Sequence, residues 1–262
     1  MKPSDHSFRK RLRARDALIG TFVKSPSSIV CEVLGDSKLD AVCLDAEHAP
    51  FGRMQLDSCI HALRASGMPA LVRLQSDKPE GILNVLDSGA TGIVVPHVMS
   101  ADQAEAIAKS AHYGRGGRGF AASSRAAGYI EKKMADHLRD SKEQTTVIVQ
   151  IEDIEAVDVV EEIASVKGVD CLFVGRIDLT VAYGAESPDD PRVIAAVERI
   201  CAAGKAVGMA VGMYVPNVRE SQKWIEKGAS LFLLESDQAF LAKGAEMLFQ
   251  QFTQRGNLTQ IR

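Results

Sequence analysis

The chain has 262 residues, 46% hydrophobic and 25% charged, with a formal net charge of −3. That length is long for one average domain and ordinary for an α/β barrel. So slight an acidity gives no electrostatic basis for binding nucleic acid or an anionic membrane, and neither is expected as a partner.

The first residues, MKPSDHSFRK, lack the apolar core of a signal peptide. FRKRLRARD (8 to 16) sets Phe8 and Leu12 four apart, which predicts a short N-terminal helix with a solvated basic face. Short β-branched apolar runs then recur, separated by helical patterns. They are ALIGTFV (17 to 23), DAVCLDAEH (40 to 48), PALVRL (69 to 74) and GIVVPHV (92 to 98). After a longer gap come TTVIVQIED (145 to 153), DCLFVGRID (170 to 178), AVGMAVG (206 to 212) and SLFLLESD (230 to 237). The helix candidates between them include QLDSCIHALRASG, PEGILNVLDSG, ADQAEAIAKSA, IEAVDVVEEIASV, DPRVIAAVERICAAG and VRESQKWIEKG. Several close on Gly, as helix C-termini do.

Eight strands alternating with helices, and apolar enough to be buried on both faces, predict a parallel sheet. The count of eight favours a closed (β/α)₈ barrel, the TIM-barrel architecture, over a doubly wound sheet. No strand is followed by G-x-G-x-x-G or a Walker A loop, so the open sheet lacks its nucleotide signatures. No Pro- or Ser-rich linker divides the chain, so one domain over residues 1–262 is expected. The segment YGRGGRGFAASSRAAGY lies in the 99 to 144 gap and is expected as a loop over the barrel mouth. No apolar run is long enough to span a bilayer. Five cysteines, Cys31, Cys43, Cys59, Cys171 and Cys201, form no C-x-x-C pair. They predict buried thiols in a reducing compartment, and hence a cytoplasmic protein.

In such a barrel the strands' C-terminal ends form the active face. Those ends carry Asp45, Glu47 and His48, then Arg73, His97, Gln150, Glu152, Arg176, Asp178, Glu235 and Asp237. Glu152 and Asp178 are one βα unit apart and should end adjacent strands, which lie about 5 Å apart. Two carboxylates so placed repel unless they share a cation, and all-oxygen ligation suits Mg²⁺ or Mn²⁺. Spacing equally allows a Glu152–Arg176 ion pair. Arg73 is either an ion-pair partner of Asp45 or Glu47, or a fixed charge for a developing oxyanion. His48, with a carboxylate close in sequence and an arginine on the next strand, is a candidate general base. LLESD at the last strand end would repel a phosphate, which disfavours phosphosugar isomerases and indole-type synthases.

LDAEHAP, VRL, LDSGATGIVVPHV, the loop with Arg118, Gly119, Arg125 and Ala126, VQIED and FVGRIDL follow one another in order. Together they resemble the HpcH/HpaI aldolase family from about Gly20 to the last strand. That family contains metal-dependent pyruvate aldolases such as 4-hydroxy-2-oxoheptanedioate aldolase and 5-keto-4-deoxyglucarate aldolase. The resemblance implies a class II aldolase that reversibly cleaves a 4-hydroxy-2-oxo acid to pyruvate, or a close 2-oxo acid, and an aldehyde through a metal-stabilised enolate. It implies Glu152 and Asp178 as ligands of Mg²⁺ or Mn²⁺, with Co²⁺ or Zn²⁺ as substitutes. Arg73 would meet the pyruvate ketone and His48 would be the catalytic histidine, with Asp45 beside it. Asp87 would reach the histidine of an adjacent subunit, and Gln150 would lie beside the substrate. The backbone around Gly175, Arg176, Ile177 and Asp178 would bind the carboxylate, and Glu47 would order water near the metal. A homohexamer, or trimer of dimers, with an exchanged C-terminal helix is also implied. In QAFLAKGAEMLFQQF, Leu241, Ala245, Leu248 and Phe252 share a face suited to that exchange or to ordinary packing.

The chain departs from this pattern at three places. Arg176 stands where G-P-x-D-L is usual, so it is expected either to contact an anionic acceptor or oxo acid, or to pair with a surface carboxylate. His97 replaces a usually apolar residue, and Glu235 stands where Gly is frequent. The alternatives are a citrate- or malyl-CoA-type lyase, which would need a CoA surface for which no signal is present, and a non-catalytic 2-oxo-acid-binding barrel. A Schiff-base aldolase would need a lysine at a strand end, and only Lys24 comes close.

Overall fold

The computed structural model describes residues 7–255. The expectations that touch residues 1–6 (the leader-free start) and 256–262 (the end of the domain) lie outside the described residues. The chain opens with α1 (Phe8–Arg13), β1 (Leu18–Val23), α2 (Ser28–Gly35), β2 (Ala41–Asp45), α3 (Arg53–Ala65) and β3 (Ala70–Arg73). It continues with α4 (Pro79–Asp87), β4 (Gly92–Val95), α5 (Ala101–Ala111), α6 (Met134–Gln144) and β5 (Thr146–Ile151). Then come α7 (Ile154–Asp158), α8 (Val160–Ala164), β6 (Cys171–Val174), α9 (Arg176–Ala182) and α10 (Pro191–Val207). The last elements are β7 (Ala210–Val215), α11 (Val218–Glu226), β8 (Leu231–Ser236) and α12 (Asp237–Arg255). The strands pair in parallel in the order β1 to β8, and β8 pairs back on β1 to close the barrel. This is the expected (β/α)₈ architecture.

The residues explain the elements. Strands covered on both faces read as continuous apolar runs, and β2 through β6 are buried at every position. Outward side chains such as Val42, Val72 and Leu172 pack with Ile60, Leu63, Ile82 and Trp224 in the layer between sheet and helices. Inward ones such as Cys43, Leu71, Ile148, Phe173 and Leu233 fill the barrel and meet Phe8 and Leu12 of α1. Ser100, Asn217 and Asp190 cap α5, α11 and α10 through side-chain oxygens that accept backbone N–H groups.

Several boundaries differ from the expectation. The seventh strand is Ala210–Val215 rather than 206 to 212, because α10 runs on until Gly208 takes the left-handed conformation (φ 72°) that ends it. The sixth stops at Val174, so Arg176 and Asp178 open α9 instead of ending a strand. The glycine- and arginine-rich segment does not cover the mouth. It follows the end of α5 and is fastened to the end of α4, where Arg118 pairs with Asp87 and Arg125 Nη1 donates to Ser88 O. Helices return from the mouth to the opposite end of the barrel, so this loop lies at that far end. The basic face of α1 is not wholly solvated either. Arg9 is 8% exposed and donates to Asp170 Oδ2 at 2.9 Å, closing the barrel floor.

All five cysteines are buried and unpaired. Among the described residues no helix is long and apolar enough to cross a membrane.

Candidate active site

Parallel register sets Asp45 of β2 opposite Arg73 of β3. Side chains two apart share a strand face. Cys43, Leu71 and Ile148 point into the barrel, so Asp45, Arg73 and Gln150 do the same where the strands end. Arg73 Nε and Nη2 donate to the two carboxylate oxygens of the fully buried Asp45 at 3.0 and 2.9 Å. This forked geometry fixes the guanidinium in direction as well as place. Burial pushes the Asp45 carboxyl upward, but the Arg73 hydrogen bonds and charge outweigh it and hold the group below its ordinary value. The Arg73 guanidinium also lies 4.7 Å over the Phe22 ring. Lys24 Nζ stands 3.3 Å from Asp45 Oδ2, an ion pair rather than the desolvated pocket of a Schiff-base lysine.

Past β2 the chain turns, and the His48 N–H donates to Asp45 Oδ1 at 3.2 Å. Glu47 Oε2 lies 3.3 Å from Arg73 Nε and 3.6 Å from His48 Nε2. The His48 ring is more than half exposed and lines the mouth cavity. Glu152, one residue past β5, is 3% exposed. It accepts from Gln150 Nε2 and from the His97 N–H. Its carboxyl is nonetheless raised above the ordinary value. Burial is the main cause, the two hydrogen bonds and His97 act against it, and the charge of Asp178 adds to it. Gly175 makes this arrangement sterically possible, since a Cβ there would lie 2.5 Å from Glu152 Cβ and 2.6 Å from Glu152 Oε2.

His48, Arg73, Gln150 and the turn from Gly175 to Asp178 border one cavity of about 480 Å³, walled by Phe22, Phe173 and Tyr214. The first N–H groups of α9 have no acceptor within the helix. Arg176 borders the same cavity, but its guanidinium pairs with Glu220 of α11 and lies 5.8 Å over the Trp224 ring. No Glu152–Arg176 pair is formed among the ion pairs of the described residues. Glu235 has φ 58° within a shift of the β1–β8 register, a backbone state that favours glycine, and it pairs with Lys243. Asp237 is a backbone clamp whose two oxygens accept from Lys24 N and Ser25 N at 2.7 and 3.1 Å. Asp87 ends α4 and is paired with Arg118, remote from the mouth within its own chain.

His97, which the sequence pattern marks only as a departure from an apolar position, lies in the structure among the mouth carboxylates. Glu47, His97 and Glu152 each present a donor atom, all within 4.8 Å of one another. The His97 imidazole is raised above its ordinary value: burial opposes the charged form, but the Asp153 hydrogen bond and the charges of Glu152, Asp153 and Glu47 prevail. A donor set of carboxylates and one imidazole, with Asp178 near enough to act on Glu152, fits a divalent cation.

The family described as HpcH/HpaI aldolase/citrate lyase matches residues 18–243. A pyruvate aldolase of Rhizobium etli is 31% identical over 95% of this chain and 98% of its own length. A 4-hydroxy-2-oxo-heptane-1,7-dioate aldolase of Shigella flexneri is 30% identical over 98% of this chain and 96% of its own. The crystal structure of an HpcH/HpaI aldolase/citrate lyase family protein from Burkholderia cenocepacia is 31% identical. It superposes with a TM-score of 0.89, covering 94% of this chain and 99% of that one.

Proposed function

The chain belongs to the HpcH/HpaI aldolase/citrate lyase family, and on that premise we propose that it is a divalent-metal-dependent aldolase cleaving a 4-hydroxy-2-oxo acid to pyruvate and an aldehyde. One observation carries this reading. The forked Asp45–Arg73 pair is continuous through Glu47 and His97 with the buried carboxylate of Glu152, and its Arg73 borders one aromatic-walled cavity together with His48, Gln150 and Asp178.

Glu152 and Asp178 would hold the cation, Mg²⁺ or Mn²⁺ by their oxygen donors. Such an ion supplies Lewis-acid polarisation of the oxo-acid carbonyl. The rest of the reaction falls to the chain's own groups. The N–H groups at the start of α9 bind the substrate carboxylate, and the Gln150 amide lies beside it. Arg73, held by Asp45, directs its remaining N–H groups at the ketone oxygen, where negative charge develops as the C3–C4 bond breaks. His48 removes the proton from the C4 hydroxyl, through a water, and the aldehyde leaves with its carbonyl formed. The bonding electrons pass into the enolate of pyruvate, which is then protonated at C3. Phe22, Phe173 and Tyr214 keep bulk water from the reacting carbons. Asp87, at the opposite end of its own α4, would act on the histidine of a neighbouring subunit.

The C-terminal helix supports an assembly of the hexamer type. On α12, Leu241, Leu248 and Phe252 are 68%, 65% and 67% exposed, an apolar stripe suited to burial on a neighbouring subunit by exchange. The five buried thiols suit a reducing cytoplasm.

The test is pyruvate release from a panel of 4-hydroxy-2-oxo acids. It should vanish on thorough chelation and return with Mg²⁺, Mn²⁺, Co²⁺ or Zn²⁺. Activity untouched by metal removal, or a covalent adduct after borohydride with pyruvate, would refute the mechanism.

A further inference from the structure

β4 ends at Val95, and two residues later His97 takes φ 52°, in the left-handed region. Its N–H donates to Glu152 Oε1 at 2.8 Å, which ties the turn to the neighbouring strand end. The imidazole therefore lies among carboxylates. Nδ1 is 3.1 Å from Asp153 Oδ2 and 3.4 Å from Glu152 Oε1, and Nε2 is 3.9 Å from Glu47 Oε1. A carboxylate on Nδ1 favours the tautomer protonated there and leaves the Nε2 lone pair for a ligand, the arrangement that orients metal-binding histidines. Two tetrahedral donors on a zinc-like ion, each about 2.0–2.2 Å from it, stand about 3.3–3.6 Å apart. The 3.9 Å between Nε2 and Glu47 Oε1 exceeds that by a few tenths of an ångström, which a small rotation of a ring more than half exposed closes.

A second observation points the same way. Gln150 is 1% exposed, and its Oε1 accepts no hydrogen bond while its amide N–H is spent on Glu152. Glu47 Oε2 likewise accepts none, although Arg73 Nε stands 3.3 Å away. Buried oxygens left unsatisfied beside grouped carboxylates await a cation or a donor ligand.

We propose that His97 is a nitrogen ligand, beside Glu47 and Glu152, of the divalent cation in this mouth, oriented by Asp153, and that it shifts the site's preference from Mg²⁺ toward Co²⁺ and Zn²⁺. The proposal rests on the reading of the mouth as a metal site and names which ions that site retains. Carboxylates and water suit Mg²⁺, whereas imidazole adds affinity for later transition ions.

The experiment uses the full chain, freed of metal by chelation and titrated separately with Co²⁺ and Mg²⁺. Binding is read by calorimetry and by the visible absorption of Co²⁺, and pulsed electron paramagnetic resonance of bound Mn²⁺ reports nitrogen coupling. His97→Asn tolerates the left-handed backbone, so the variant should fold. It should weaken Co²⁺ binding at least about tenfold, the scale seen when even outer partners of metal sites are removed. It should also abolish the nitrogen coupling and leave Mg²⁺ affinity nearly unchanged. Asp153→Ala should weaken Co²⁺ binding by about tenfold. Unchanged Co²⁺ affinity and nitrogen coupling in His97→Asn would overturn the assignment. If Glu152→Gln then still abolishes Co²⁺ binding, the metal-dependent reading stands without His97. If the parent protein binds neither ion, both readings fall.

Discussion

The two ends of the barrel treat buried charge in opposite ways. At the floor, Asp170 and Asp40 are each matched by a guanidinium and a backbone N–H. Asp170 takes Arg9 Nε at 2.9 Å and Val147 N at 3.0 Å, and Asp40 takes Arg11 Nη1 at 2.6 Å and Ile19 N at 2.9 Å. At the mouth, Glu47 stands beside Arg73, whose fork is already engaged by Asp45, and Glu152 lies near Glu47 and under the charge of Asp178. Buried oxygens of Glu47 and Gln150 are left without hydrogen bonds there. Asp170 and Asp40 are fully paired at the floor and the mouth oxygens are not, although His112 Nε2 and Arg118 Nε at the floor also lack a hydrogen-bond partner. An unfinished set of acceptors costs stability in the free chain and recovers it when a ligand arrives.

The largest test of this contrast is at the floor. Asp170→Ala leaves Arg9 buried without its partner and should cost about 3–5 kcal/mol in urea unfolding, with kcat per folded molecule unchanged. Loss of activity without loss of stability would reverse the assignment of the two ends. Next is Asp178→Asn at the mouth. It should lower kcat/KM by about 100-fold or more, worth about 2.7 kcal/mol of transition-state stabilisation, with stability within about 0.5 kcal/mol of the parent. Gly175→Ala sharpens the point, because its Cβ would crowd the Glu152 carboxylate. Overpacking should cost about 1–3 kcal/mol, and metal affinity should fall with it. An alanine variant that binds metal normally would show that the Glu152 position is not critical.

Much of this was legible in the chain. The eight strands could be read because parallel strands buried on both faces carry uninterrupted apolar runs. Asp45, Arg73, Gln150 and Glu152 stood out because each interrupts or ends such a run. What escaped reading depended on backbone states or on partners far along the chain. The run FVGRID reads as continuous strand until Gly175 turns it into α9, which sends Arg176 toward Glu220 and Trp224. AVG at 206 to 208 is apolar enough for a strand but is the end of α10. His97 gains its place from a left-handed turn and from Glu47, Glu152 and Asp153, none of them its neighbours in sequence. The position of the loop from 113 to 130 follows from Asp87 and Asp57, which hold Arg118 and Arg125.

The smallest expected effect divides the mouth itself. Asp45 is held below its ordinary value of 3.8, since Arg73 outweighs burial. Its contribution to stability is therefore complete above its unfolded value of about 3.9 and lost as the pH falls through its lower folded value. Glu152 runs the other way. Burial and Asp178 raise it above 4.5, so the metal-free fold ionises it less readily than the unfolded chain does. The penalty for ionising it sets in as the pH rises from its unfolded value through the raised folded one, and stays at neutral pH. In metal-free protein, Glu152→Gln should match the parent at pH 4 and exceed its Tm at pH 7. The gap should be a few degrees, at roughly 2–4 °C per kcal/mol for a chain of this size. The new amide needs one acceptor, and a flipped Gln150, whose Oε1 is free of hydrogen bonds, provides it. Saturating divalent metal should reverse the order, because only the parent carboxylate gains a cation. A variant less stable than the metal-free parent at pH 7 would mean that Glu152 is already satisfied within the chain, as Asp170 and Asp40 are at the floor.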